Sequence, residues 1–344
     1  MGYVAVKGGE NAINNAKKLI EKFRRENRLA VDHVMGEGSL YAPELAELAV
    51  KQAEGDLIEA SFLIRAYRST LPRIGYTEPI DTHDMFVIRR ISSTFKDIPG
   101  GQILGATRDY TQRLLEFEPS EEVEDEGEES SDASEDPPKF EKVVDVMRKD
   151  GLIADPSESN EEPFDITRDS LQFPLPRSAR LQALARGENG AMLALAYSSL
   201  RGYGSVHPTI AELRVGYVKV KIKHPYTKKE VSIGEILVTE CEGILSGVGA
   251  TTLSEDEKFS IGYGLVFGQN ERKAISMAIL DGTTSIKEPK APSEDQEFVF
   301  YHIDGVDAMG FVEHLKLPHY VTFQSSLDRV KKAKEVKEAK NEGI

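Results

Sequence analysis

His314 and His319 enclose a Leu-Lys-Leu-Pro spacer in the segment His314-Leu-Lys-Leu-Pro-His319-Tyr-Val-Thr-Phe-Gln. Imidazole is the commonest protein metal ligand and also titrates near neutrality. A shared ion requires the two rings to meet. A helix sets positions i and i+5 roughly 140° apart, and a strand turns them to opposite faces. Pro318 opens a third arrangement, because it fixes its own φ and disfavours helix at Leu317. A helix ending near His314, followed by an extended turn, could fold both rings inward. The plain alternative is one histidine at a helix end and one hydrogen-bonded in a strand. Two ligands also fall short of the three or four that zinc sites usually take.

Carboxylates form the second group. Asp109, Glu240, Glu242 and Glu271 stand in apolar or glycine-rich surroundings. A carboxylate pair can stabilise an oxocarbenium-like centre or exchange protons with a leaving group. Glu240 and Glu242 are expected on one strand face, with Cys241 on the other. Salt bridges and surface exposure are the commoner roles for such residues. Cys241 has no neighbouring histidine and reads as a small core residue.

Three glycine-bearing segments could approach an anion closely. One contains Gly100 and Gly101, the second is Arg201-Gly-Tyr-Gly204, and the third runs from Gly262 through Gly264 to Gly268. After the third, Asn270 could cap a helix beginning at Glu271, with Arg272 and Lys273 as phosphate contacts. Tight turns and a glycine-containing strand are the commoner explanation of any one segment, while the three together point towards an anionic ligand. The sequence has no Walker A loop and no Gly-x-Gly-x-x-Gly fingerprint. It also lacks a Gly-x-Ser-x-Gly elbow and a His-Glu-x-x-His helix.

The chain has 344 residues, 40% of them hydrophobic, enough for a substantial core. No apolar run approaches a membrane span, and the N-terminus lacks a signal-peptide pattern. With a single cysteine, internal disulfides are impossible, which fits a reducing cytoplasm. One thiol cannot hold an iron–sulfur cluster either. Glu118–Asp136 carries eleven acidic residues and no Lys or Arg, so removing it from the net charge of −15 leaves −4. That remainder has no basic excess suited to nucleic acid.

These residues need elements to position them. Residues 1–117 read as a helix-rich segment opening with a strand at Tyr3–Lys7. A continuous helical period runs from Leu45 to Leu71, and a strand lies within Met85–Phe95. Residues 118–138 read as an acidic disordered linker. Residues 139–326 read as the main α+β segment. It has helices at Phe140–Arg148 and Arg177–Arg201, the latter broken at Gly187 and Gly190. A hairpin joins Tyr217–Lys223 to Val231–Cys241, and strands follow at Phe259–Phe267 and Phe298–Ile303. Helices lie at Asn270–Leu280 and Val306–His314, and residues 327–344 form a charged helical tail. Strands and helices do not alternate regularly, so the fold class is α+β with a mixed or antiparallel sheet.

Taken in order, several of these words resemble the PhnI family of carbon–phosphorus lyase complex subunits. They are Tyr3-Val-Ala-Val-Lys-Gly-Gly-Glu10, Leu63-Ile-Arg-Ala-Tyr-Arg68, Lys96-Asp-Ile-Pro-Gly-Gly-Gln102, Arg201-Gly-Tyr-Gly204, Thr239-Glu-Cys-Glu242, Gly262-Tyr-Gly-Leu-Val-Phe-Gly268 and the His314–Gln324 segment. The resemblance spans nearly the whole chain except the acidic run and the tail. It implies a cytoplasmic phosphonate-degrading assembly with PhnG, PhnH, PhnJ, PhnL and PhnK. Such an assembly displaces the purine of ATP or GTP with an alkylphosphonate, giving α-D-ribose 1-methylphosphonate 5-triphosphate. Alone, the family's subunit acts as a nucleosidase, and the radical subunit PhnJ later cleaves the C–P bond. Magnesium would accompany the nucleotide. The resemblance places a zinc-type site at the boundary with PhnJ, on the histidines matching His314 and His319, and the alternative to an enzymatic role is a non-catalytic scaffold that completes this interfacial metal site. Gln112 departs from a position where the family often has histidine, and Arg108 stands at a variable one.

Overall fold

The computed structural model describes residues 9–110, 114–115, 140–153, 162–201, 207–246 and 258–342. The expected strand Tyr3–Lys7, the acidic run, Gln112 and the Gly202–Gly204 turn lie outside them. The chain divides into two compact units, Met1–Asp304 and Gly305–Ile344.

The first unit opens with helices α1 (Gly9–Arg25), α2 (Arg28–Gly38), α3 (Pro43–Gln52) and α4 (Leu57–Thr70). Val31, Val34, Met35, Ala46, Ala49, Ala60 and Ile64 close a small core among α2, α3 and α4. The continuous helix expected from Leu45 to Leu71 is two helices. Glu54 and Gly55 both take positive φ and stop the first. Asp56 then starts the second by accepting hydrogen bonds from the amides of Ile58 and Glu59.

Strand β1 (Phe86–Ile91) follows, then α5 (Val143–Lys149), α6 (Arg177–Arg186) and α7 (Asn189–Leu200). The Gly187 break is present, and Glu188 caps α7 through the amides of Gly190 and Ala191. Next come β2 (His207–Lys223), β3 (Glu230–Ser246), β4 (Ser260–Phe267), α8 (Glu271–Thr283) and α9 (Gln296–His302). The four strands form one antiparallel sheet in the order β1-β2-β3-β4. β1 precedes the acidic run and β2 follows it, so both sides of the run share one sheet. The α+β reading therefore holds. The strand expected at Phe298–Ile303 is helix α9. Asp295 caps it through the Phe298 amide, and Val299, Phe300 and Ile303 form its buried face.

The sheet has two unlike faces. On one, Leu213, Cys241 and Val266 pack with Ala274, Met277, Ala278 and Leu280 of α8 and with Leu184 and Met192. Here α8 lies directly on β4. A Cβ on Gly262 would stand 1.9 Å from the Ala278 carbonyl oxygen, and one on Gly264 2.1 Å from that of Ala274. Both glycines are needed for close packing. The other face carries buried Arg90, Glu212, Arg214, Glu240 and Glu242, with α5 packed through Val143, Val144 and Met147 on Ala211 and Ile244 and an apolar cluster of Met85, Val218 and Val238.

The second unit contains α10 (Gly305–Glu313), a 3-10 turn at His314–Lys316 and α11 (Tyr320–Glu342). α11 begins just after Pro318, several residues before the helical tail expected from sequence. No described helix is long and apolar enough to cross a membrane.

Candidate active site

The candidate residues fall into three places. The charged sheet face holds Glu240 and Glu242. Alternation along β3 puts both on one side and Cys241 in the apolar core, as the sequence predicts. Glu240 is 1% exposed. Its Oε1 accepts from Thr82 Oγ1 at 2.6 Å, Lys142 Nζ at 2.8 Å and Tyr263 Oη at 2.9 Å. Its Oε2 accepts from Arg214 Nε at 2.9 Å and also from Arg214 Nη2. Burial pushes its acidity towards the neutral form, but Arg214 and Lys142 outweigh burial and hold the carboxylate ionised. Glu242 accepts from Lys142 Nζ at 3.1 Å, and burial together with the charge of Glu240 raises it well above the usual carboxylate range. Arg90 pairs with Glu212, whose Oε2 accepts from the Val143 amide at 2.9 Å.

The result is a neutral ladder of three cations and three carboxylates beneath α5: Arg90, Glu212, Arg214, Glu240, Lys142 and Glu242. Five donors occupy the two oxygens of Glu240, so no lone pair is turned to a substrate. Cys241 is buried, and burial pushes its thiol far above neutrality, which keeps it an unreactive core residue. Gly100 and Gly101 form a turn on this same side with positive φ. A Cβ on Gly100 would strike the Phe140 ring at 1.8 Å. That ring in turn lies 5.1 Å from the Arg90 guanidinium.

The second place is built around Arg89, which the sequence reading did not single out. Its side chain is 1% exposed. Nη2 donates to Asp109 at 2.8 Å, Nε to Glu271 at 2.7 Å, and Nη1 to the Leu104 carbonyl at 2.6 Å. One guanidinium thus ties β1, the Leu104–Tyr110 segment and the start of α8 together. Gln269 adds a bond from Nε2 to the Ala106 carbonyl at 2.7 Å. Beside this hub lies a cavity of about 120 Å³ lined by Arg89, Ile91, Ser92, Gln102, Leu104, Asp109 and Tyr110. The Asp109 side chain is 52% exposed, so one oxygen is held and the other is open. Pockets for whole drug-sized ligands run to about 300–1,000 Å³. This one has room for a sugar-sized group, with polar Ser92, Gln102 and Tyr110 around it.

At the start of α8, Asn270 Oδ1 accepts from the Lys273 amide at 3.3 Å, the predicted cap. Arg272 is exposed and Lys273 is not. Lys273 Nζ is buried with no hydrogen-bond partner among the described residues. Burial lowers its pKa to about 8, against the opposing charge of Glu37. It lies against α2, where a Cβ on Gly36 would come within 3.2 Å of Nζ. Asp32 of α2 accepts from the Gln269 amide at 2.9 Å, and burial raises it to about 6. Burial, then the charges of Lys273, Arg272 and Arg108, lowers His33 to about 4, so it is neutral at pH 7.

The third place is in the second unit. The rings of His314 and His319 lie 5.4 Å apart, centre to centre. Nδ1 of His314 faces the Phe311 carbonyl, and Nδ1 of His319 faces that of Leu317 at 2.6 Å. A carbonyl can only accept, so both Nδ1 atoms carry a proton, and in the neutral ring that leaves the lone pair on Nε2. That is the tautomer a metal ligand needs. Among the described residues no third His, Cys, Asp or Glu joins them to complete a metal site.

Comparison with known proteins adds a family. The family described as bacterial phosphonate metabolism protein (PhnI) matches residues 2–337. The chain is similar to the α-D-ribose 1-methylphosphonate 5-triphosphate synthase subunit PhnI of Rhizobium meliloti (strain 1021). The two are 48% identical over 369 residues, covering 99% of this chain and 97% of the relative. It is 45% identical over 349 residues to the protein of the same description from Escherichia coli (strain K12), covering 96% of this chain and 98% of the relative.

Proposed function

This chain belongs to the PhnI family of bacterial phosphonate metabolism proteins, and from that premise we propose that it displaces the purine of ATP or GTP with an alkylphosphonate. Its partners in that step are PhnG, PhnH and PhnL, and the product is α-D-ribose 1-methylphosphonate 5-triphosphate. Alone, it admits water in place of the phosphonate and acts as a nucleosidase. The observation that carries this reading is Asp109, a half-exposed carboxylate fixed by Arg89 at the mouth of a sugar-sized cavity.

The chemistry follows from charge. The bond from the anomeric carbon to the base breaks with its electron pair going to the base, which gains a proton. Positive charge grows on the sugar, and a fixed carboxylate a few ångströms away stabilises it. A phosphonate oxygen then bonds to that carbon, and the proton lost from its P–OH balances the one gained by the base. Arg89 keeps Asp109 oriented without covering both oxygens. In the test, the chain is incubated with GTP, with and without methylphosphonate and the three partner subunits. Free guanine is expected in every case, and the phosphonate-bearing nucleotide product only with partners. Absence of guanine from the chain and from the complete mixture alike would sink the proposal.

His314 and His319 fit half of a zinc site, with the remaining ligands supplied by PhnJ in an assembly that can include PhnK. When bound, the ion would supply Lewis acidity to the later phosphonate chemistry. This chain's part is to hold two imidazoles in the Nδ1-protonated form. Zinc content, read by mass spectrometry, is expected to be low in the isolated chain and high in the assembled complex. His319→Ala should remove it from the complex without impairing guanine release. Stoichiometric zinc in the isolated chain would contradict the shared site.

A further inference from the structure

Ser92 and Gln102 stand together at the neck of the loop that leaves β1. Arg90 and Ile103 close that neck, each amide donating to the other's carbonyl at 2.8 Å. Ser92 is 7% exposed. Its Oγ accepts from the Thr94 amide at 3.3 Å and the Phe95 amide at 3.2 Å. A hydroxyl has two lone pairs and one proton. Two amides fill the lone pairs, so the O–H is what Ser92 has left to give, and it has no acceptor among the described residues. Gln102 is held in the same way. Its Oε1 accepts from the Ser92 amide at 3.4 Å, and its Nε2 donates to the Lys96 carbonyl at 3.1 Å. Those two bonds set which way the amide points and leave one N–H of Nε2 over. Both residues line the cavity beside Asp109.

Charge decides which part of a nucleotide suits this cavity. Arg89 brings one positive charge, while Asp109 and Glu271, both bound to it, bring two negative ones. The balance is negative, so a phosphate is repelled. Ile91 and Leu104 add apolar wall. The group that fits is neutral, with oxygens that accept from Ser92 and Gln102 and C–H edges for the wall. Ribose is such a group, and its 2′- and 3′-oxygens lie on adjacent carbons, matching two donors at one loop neck.

We propose that Ser92 and Gln102 donate to the 2′- and 3′-hydroxyl oxygens of the ribose and so select ribonucleotides over deoxyribonucleotides. This rests on the reading that Asp109 meets the anomeric carbon, and it gives recognition of the sugar to residues that take no part in breaking the bond. A sugar that lacks one hydroxyl leaves a buried donor without a partner and binds more weakly.

The test uses the full chain and 9-deazaguanosine 5′-triphosphate, whose base is joined to the sugar through carbon and does not leave. Its binding is compared by calorimetry with that of its 2′-deoxy and 3′-deoxy forms. Each missing hydroxyl is expected to weaken binding by wild type about 10-fold. Ser92→Ala should bring one of these two ratios to within about twofold of unity, and Gln102→Leu the other. Ser92→Thr keeps the hydroxyl and should keep both ratios. Equal binding of the three analogues by wild type would overturn the proposal, as would a chain that binds none of them. So would ratios that stay within about twofold of wild type in both Ser92→Ala and Gln102→Leu. Asp109→Asn should leave the ratios unchanged. Normal sugar discrimination with undiminished guanine release by Asp109→Asn would therefore count against the Asp109 chemistry alone, and lost discrimination with slowed release against the diol contacts alone.

Discussion

Replacing Lys142 by methionine is expected to destabilise the first unit by roughly 3–5 kcal/mol, the scale of breaking a buried ion pair from one side. Whole domains hold only about 5–15 kcal/mol, so this is among the largest single changes available. Lys142 is 5% exposed, and its ammonium reaches Thr82, Glu240 and Glu242 at once. Without it Glu240 still has both arms of Arg214. Glu242 has no such reserve, because its Oε2 is already buried without a partner among the described residues. The loss should therefore depend on pH. Burial and Glu240 already raise Glu242 above its unfolded value, and losing Lys142 raises it further. A group raised on folding contributes stability below its unfolded range and loses it as pH rises through the folded one. Urea midpoints of variant and wild type should differ least near about pH 5 and most near about pH 8. Adding Glu242→Gln should recover a large part of the loss at the higher pH. A loss under about 1 kcal/mol, or one equal at both pH values, would show that the ladder does not carry this strain.

The same ladder shows what the sequence could and could not tell. Glu240 and Glu242 on one face with Cys241 opposite follows from strand alternation alone, and the structure agrees. Their partners are invisible at that level. Arg214 and Lys142 lie 26 and 98 residues from Glu240 along the chain, and no local pattern links them. So a carboxylate pair that suggests acid–base chemistry turns out enclosed by cations. Arg89 was missed for a similar reason, since its two carboxylates lie 20 and 182 residues away. One signal was available: Arg89 and Arg90 sit side by side in the otherwise apolar strand Phe-Val-Ile-Arg-Arg-Ile, where two charges need buried partners. The Asn270 cap and the β2–β3 hairpin were legible because their information is local. The short apolar run in α9 was ambiguous between helix and strand, and Asp295, as an N-cap, was the cue that decides for helix.

Asp109→Asn is expected to lower the rate of purine release from GTP about 10²–10³-fold while leaving the fold intact. The magnitude can be reached independently. A unit negative charge about 4 Å from a developing positive one, in a partly shielded site, contributes about 4 kcal/mol. That corresponds to roughly three powers of ten in rate. Asparagine keeps the shape, and its oxygen can still accept from Arg89, so the hub joining β1 to α8 survives. With half of the Asp109 side chain in solvent, the stability change should stay within about 1 kcal/mol. The charge matters only once the base begins to leave, so kcat should fall with little change in KM. The comparison that decides is Glu271→Gln, which removes the other carboxylate on Arg89. Glu271 is 23% exposed and does not line the cavity, so its variant should lose far less activity. If Asp109→Asn instead releases guanine within threefold of wild type while Glu271→Gln collapses, the developing charge is met from the start of α8. The sugar would then sit nearer Arg272 than the cavity beside Asp109 implies.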